Sequence, residues 1–237
     1  MFGFRSLPPI DCTIKYKTEG ERVKQVMTTK GPVTQKGRDV RDRIVREAAR
    51  LMQEQGVSST SLDDIEAAAA AGRSQLYHYF SGKKGLVEAV IHYQAEGILT
   101  SSRTALGLST WEAWEDWRTS TVRHYALHSC KGGCPLGSLA SELADTHEEA
   151  RQHLSLNFRK WEQIFHDGLQ AMKSAGLLDD AADPERLAVV LITSLEGGLL
   201  MSQTHRDVTY LDVALEGALR LVRHHARAEW ERPSGWR

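Results

Sequence analysis

Apolar positions recur along most of this chain with the 3.6-residue period of an amphipathic helix, and alternating Val/Ile/Thr runs are nearly absent. Val40, Ile44, Ala48, Leu51 and Met52 share one face of a helix predicted over 38–55, which Gly56 stops. A short helix follows Thr60 or Ser61, with Asp63 and Asp64 in its first turn, where carboxylates suit the positive helix end. A break near residues 70–72 separates it from a third helix over 73–79. Ser81-Gly82 then precede a longer helix over 83–105, with Leu86, Val90, Ile91, Ile98 and Leu99 turned inward. Thr110 caps a fifth helix over 111–129, and CKGGCP at 130–135 forms a tight loop. Pro135 suits the first turn of a short helix over 136–144. A long helix over 147–175 ends at Gly176, Asp183-Pro184 starts one reaching His205, and the last covers 210–228. The sum is an all-α chain of about nine helices. Proline placement agrees, since none falls between Pro32 and Pro135.

Composition narrows the class. The chain has 237 residues, 41% hydrophobic and 26% charged, enough for one or two packed domains and too apolar for disorder. It has no uninterrupted apolar run of about 18 residues, so no transmembrane helix or membrane partner is expected. Residues 1–10 lack the apolar run of a signal peptide. An odd count of 3 cysteines points to a reducing compartment, and a cytoplasmic location is expected. The net charge of −1 hides an asymmetry: residues 1–95 carry 15 Lys and Arg against 11 Asp and Glu, the remainder 15 against 20. A basic part ahead of an acidic one suggests a polyanionic partner on one side only. Residues 1–37, with Pro8-Pro9 and Gly31-Pro32, read as a flexible basic tail in which Met27 is a candidate translation start. Residues 231–237 read as a C-terminal tail.

Two short helices joined by a turn of three or four residues form a helix-turn-helix candidate. The second must fit a major groove about 12 Å wide and offer polar side chains at its N-terminal end. Here that end carries Arg73, suited to guanine, Ser74, which is permissive, and Gln75, suited to adenine. Tyr77, His78 and Tyr79 can reach phosphates or stack on sugars and thymine methyls, while Leu76 and Phe80 face inward. Thr60 and Ser61, beside the backbone N–H groups of the second helix, can hold a phosphate, and Lys83 with Lys84 another. A plain helical hairpin with an aromatic cluster produces the same spacing.

The run from Thr60 to Val90, TSLDDIEAAAAAGRSQLYHYFSGKKGLVEAV, resembles the DNA-binding domain of the TetR family of transcriptional regulators. Thr60, Leu62, Asp64 and Ile65 carry the match in the second helix, followed by the block Leu76-Tyr77-His78-Tyr79-Phe80 and then Lys83 and Leu86. The resemblance extends back through Ile44, Ala48, Leu51 and Gly56 and covers residues 38–95. Where the family usually places Gly in the turn, this chain has Ala70, which must keep a negative φ or accept modest strain. Gly72 stands where the family often has Ser or Thr as a cap, at little cost. Residues 133–143, GCPLGSLASEL, resemble the loop and helix of an LmrA/YxaF-like branch.

The resemblance implies a helix-turn-helix DNA-binding domain over 38–84 and a helical effector-binding and dimerisation domain over 85–230. It also implies a homodimer built from the last two helices of each subunit. The residues suit this, with apolar stripes at Leu187, Val190, Leu191, Leu195 and Leu199 and at Leu211, Leu215, Leu219 and Val222. Ser194 and Gly197-Gly198 allow close approach, although an intrachain core needs part of each stripe. Trp114, Trp117, Tyr125, Leu136, Leu139, Phe158, Trp161 and Phe165 are the candidate effector-binding residues, with Glu196 as a polar partner. At helical spacings these aromatics also suit plain core. The expected function is a ligand-responsive transcriptional regulator bound to double-stranded DNA, a repressor released from a near-palindromic operator by a small hydrophobic or aromatic effector. The alternative is a redox-responsive regulator switching through Cys130 and Cys134. His124 and His128 with Cys130 could ligate a metal, but no second cluster supports it, and His224-His225 read as solvated. No phosphate-binding Gly loop or nucleophile elbow occurs, so no catalytic site, cofactor or metal is expected.

Overall fold

Thr34 opens the part of the chain that the structure describes. That structure, a computed structural model, covers residues 34–105 and 107–227, without the side chains of 101–105. Met27, the proline pairs of the N-terminal tail and residues 231–237 lie outside it. The Thr34 hydroxyl accepts a bond from Gly37 N–H and starts α1 (Gln35–Gln55) three residues before the apolar periodicity begins. Ser61 caps α2 (Leu62–Ala69) in a capping box with Asp64. The short α3 (Arg73–Tyr79) and the long α4 (Gly82–Ala105) follow. Thr110 caps α5 (Trp111–Leu127), and Cys134 Sγ accepts from Gly137 N–H at 3.3 Å to cap α6 (Pro135–Leu143). The remaining helices are α7 (Glu148–Ser174), α8 (Pro184–His205, capped by Asp183) and α9 (Thr209–His224). α9 stops short of the expected 228 because the chain turns to pair with the α7–α8 connection. Asp179 N–H donates to the His225 carbonyl at 2.8 Å, and Leu178 forms an isolated antiparallel bridge with Ala226.

One continuous core runs from Ile44 in α1 to Val222 in α9. α1 rests on α4, α4 on α7, and α8 lies between α7 and α9. Phe165, fully buried, is the hub of an aromatic cluster. Its ring centroid lies 5.1 Å from Trp117, 5.8 Å from Trp114 and 6.4 Å from Trp161. The Trp114 indole N–H donates to Met172 Sδ at 3.1 Å. Gly168 is needed where the 107–109 loop crosses α7, since a Cβ there would lie 2.6 Å from the Leu108 carbonyl oxygen. On the opposite flank Glu115 of α5 pairs with Arg118 and with Arg223 of α9, and Arg118 also pairs with Asp212.

The stripes expected to build a dimer are largely core. Leu187, Leu191, Leu195 and Leu199 of α8 are buried, as are Leu211, Leu215, Leu219 and Val222 of α9. Gly198 serves packing within the chain, because its missing Cβ would sit 3.0 Å from Leu211 Cα. Among the described residues α8 is the helix long and apolar enough to cross a membrane, and its packing between α7 and α9 accounts for that composition.

Truncating the hub removes a side chain that has no solvent exposure. Phe165→Ala should cost about 3–5 kcal/mol, read as a lowered midpoint in urea unfolding.

Candidate functional site

The helix-turn-helix is built by a turn that does not use glycine. Ala70 takes the left-handed conformation at φ 44° and ψ 48°. The Ala71 N–H then returns to the Glu66 carbonyl at 3.1 Å, and Arg43 Nε donates to the Ala69 carbonyl at 2.7 Å. Of the two outcomes open to Ala70, strain is the one realised. α3 is anchored by Leu76 and Phe80, both buried, with Arg41 over the Phe80 ring at 5.5 Å. Its opposite face presents Arg73, Ser74, Gln75, Tyr77 and His78 to solvent, Tyr77 at 55% exposure.

Several residues of this surface are already engaged. Arg73 pairs with Asp63 and, at 2.8 Å, with Glu66, both on α2. Gln75 Oε1 accepts from Gly72 N–H at 3.1 Å, the half of a capping box that a glycine N-cap still allows. Ser61 is exposed but bonded to Asp64, and Lys83 Nζ donates to the Ser58 carbonyl at 3.4 Å. Two expectations need correction. Thr60 cannot hold a phosphate: it is fully buried, and its hydroxyl donates to the Gly56 carbonyl at 2.7 Å. Tyr79 is half-buried against the core, because it follows Leu76 by three residues and shares its inner face. Lys84 is exposed and pairs at the surface with Glu149 of α7, at 2.6 Å.

The expected effector pocket also needs correction. Trp114, Trp117, Trp161 and Phe165 pack on one another, with Tyr125 and Phe158 against the same core and Leu136 buried. None of these seven lines either of two cavities found among the described residues, and four of the aromatic rings are in contact with one another. The larger cavity, about 640 Å³, lies elsewhere, and of the nine candidates Leu139 and Glu196 line it. Its walls come from Ala49, Met52 and Gln53 of α1, Val90 and Gln94 of α4, one face of α6, and Gly197, Leu200 and Gln203 of α8. The glutamines look like ordinary surface residues in the sequence, so no local signal marks them. Glu196, a carboxylate in the apolar middle of α8, is the visible sign.

Two side chains join this cavity to the reading head. Glu142 of α6, part of the cavity wall, accepts from Val57 N–H at 2.7 Å and Ser58 N–H at 2.6 Å in the α1–α2 turn. Partial burial opposes its charge. The Ser58 and Val57 backbone donors, the Ser58 hydroxyl and the charge of Lys83 outweigh that and hold its pKa below the ordinary value. Gln53 Nε2 of α1 donates to the Gly132 carbonyl of the CKGGCP loop at 3.2 Å. Tyr125 donates to Gly133, and Arg206 to the Cys130 carbonyl, so the same loop is also tied to α5 and to the end of α8.

The two cysteines lend no support to a redox switch. Both are buried; burial and the Glu196 charge push the Cys134 thiol well above its usual range, away from the reactive thiolate. His124 and His128 stack at 4.5 Å, and His128 Nδ1 meets the His124 carbonyl. Among the described residues no three metal-ligating side chains gather. His225 is half-buried beside Asp179 rather than solvated.

Ala70→Gly should raise stability by roughly 0.5–1 kcal/mol in urea unfolding, since relief of the left-handed alanine exceeds the added chain entropy. Glu142→Ala should lower stability by about 1 kcal/mol at neutral pH. A carboxylate with a depressed pKa stabilises above its ordinary value, 4.5, and loses that contribution as pH falls through the lowered one. The difference between wild type and Glu142→Ala should thus be constant above that value and shrink below it.

Comparison with known proteins accords with this geometry. Residues 44–90 match the bacterial regulatory proteins of the tetR family, and residues 112–218 match the tetracyclin repressor-like C-terminal domain. The chain is 29% identical over 188 residues to the HTH-type transcriptional regulator YxaF of Bacillus subtilis, covering 78% of this chain and 96% of that protein. It is 26% identical to LmrA of the same organism, an HTH-type transcriptional regulator, over 73% of this chain and 91% of that one. The crystal structure of a TetR transcriptional regulator from Chloroflexus aurantiacus superposes with a TM-score of 0.70 at 25% identity, covering 82% of this chain and 99% of that one. These relatives are regulators rather than enzymes. With the N-terminal and C-terminal domains of one family matched in order on the nine helices of the described residues, the chain belongs to the TetR family of DNA-binding transcriptional regulators.

Proposed function

We propose that this chain is a repressor released from a near-palindromic operator by a small effector that enters the 640 Å³ cavity. The observation that carries this reading is the make-up of the cavity walls: α1 of the reading head faces α6 and α8 of the body across it. An occupant that spreads those walls strains the Glu142 and Gln53 bonds and re-aims α3. A coupling of about 1–3 kcal/mol suffices if the effector prefers one conformer. Residues 38–84 serve DNA and 85–230 serve the effector and the dimer, with α1 contributing to both. The reader contacts are Ser74, Tyr77 and His78, with Ser61 and Lys83 on phosphates. Arg73 and Gln75 join once a base edge replaces their present partners. Repression is the family's usual habit, and the operator places the protein in the cytoplasm.

The dimer forms through the outward stripe of the last two helices. Leu200 and Met201 of α8, and Tyr210, Val213 and Leu221 of α9, are exposed apolar residues. On α9 the spacing 210, 213, 217, 221 keeps them with Gly217 on one face. Two such faces about a two-fold axis give the four-helix interface and set the readers about 34–36 Å apart.

Selection of bound sequences from random DNA tests the reading, and a palindromic consensus is the expected result. Against that consensus Tyr77→Ala should weaken binding about tenfold with the dimer intact by sedimentation. Unchanged affinity, or a consensus without two-fold symmetry, overturns it.

A further inference from the structure

The cavity has a polar pole with no positive charge. No Lys, Arg or His lines it, whereas two carboxylates, Glu142 and Glu196, do. The two are not equivalent. Glu142 is satisfied by two backbone N–H groups, but Glu196 Oε1 is buried with no hydrogen-bond partner. Gly137 of α6 makes room for this carboxylate, as a Cβ there would lie 2.6 Å from Glu196 Oε2. Cys134, capping the same helix, supplies its one weak thiol bond, and burial raises the pKa of Glu196. A buried carboxylate short of donors costs free energy that an incoming donor recovers. The rest of the wall, with Met52, Val90, Leu139 and Leu200, suits an apolar body.

We propose that the effector of this cavity is an amphiphilic organic cation, an apolar ring system bearing a protonated amine that pairs with Glu196. The ammonium pairs with the Glu196 carboxylate, whose side chain lines the cavity, while the rings lie along α1, α4 and α6. This rests on the effector reading above and narrows it from a hydrophobic or aromatic molecule to a cationic one. A neutral molecule without a donor leaves the carboxylate as poorly satisfied as before, a neutral hydroxyl gives it only a weaker uncharged bond, and an anionic one adds repulsion from two glutamates. A cation also meets the field of Glu142, whose grip on the α1–α2 turn competes for the same charge.

The probes are four fluorene compounds with a common three-carbon arm ending in dimethylammonium, isopropyl, hydroxyl or carboxylate, measured by calorimetry on the full chain. The ammonium compound should bind about tenfold or more tightly than its isopropyl isostere, with the carboxylate weakest. Glu196→Gln should bring the ammonium compound down to the isopropyl value. Equal affinity for the four, a preference for the carboxylate, or a hydroxyl that matches the ammonium overturns the proposal, as does binding by none. A persistent ammonium preference in Glu196→Gln overturns it too. Release of operator DNA by these compounds is followed separately. A compound that frees the DNA without charge preference sinks the cationic class and leaves the regulator reading standing. An ammonium preference with no effect on bound DNA sinks the effector-release reading and leaves the cation site standing.

Discussion

The reading head and the body share one close-packed interior, and everything else in this molecule depends on that. The apolar face of α1, with Ile44, Ala48 and Met52, is sealed into the same cluster that continues through α4 to Phe165 and on to Val222. A close-packed interior transmits displacement rather than absorbing it. α1 is in turn tied to the next two helices, through Arg43 to the Ala69 carbonyl and through Arg41 over the buried Phe80 that closes α3. Polar bonds then fix the register of head on body, with Glu142 and Gln53 bridging where apolar packing ends.

Local signals made the fold legible. Ser61, Thr110, Asp183 and Pro135 act where their chemistry says they should, and Gly56 stops α1. The LYHYF block likewise sits on α3 with Leu76 inward and Tyr77 outward. Thr34 extended α1 beyond its apolar repeat because a cap needs no hydrophobic periodicity. The end of α9 was misjudged because a bridge to Leu178 depends on a residue far away in sequence.

The site was less legible, for a reason that separates face from neighbour. Periodicity tells which side of a helix is buried but not whether the facing surface is tight or open. Trp114, Trp117 and Trp161 were correctly inward, yet they meet Phe165 and leave no cavity, while the cavity opened beside the smaller Gly137 and Ser138. Thr60 shows the same limit: its hydroxyl chemistry suits a phosphate, but the Gly56 carbonyl lies nearer. The exposed face of α3 carries a guanidinium partly neutralised by acidic residues of α2.

The bonds from Glu142 to Val57 and Ser58 join positions 85 and 84 residues apart. During synthesis the N-terminal helices emerge well before α6 exists. Until then two amides of the α1–α2 turn go without their carboxylate, and the inner face of α1 lacks part of its cover. The N-terminal helices are therefore finished by sequence made later, so their final form is reached together with the C-terminal body rather than ahead of it.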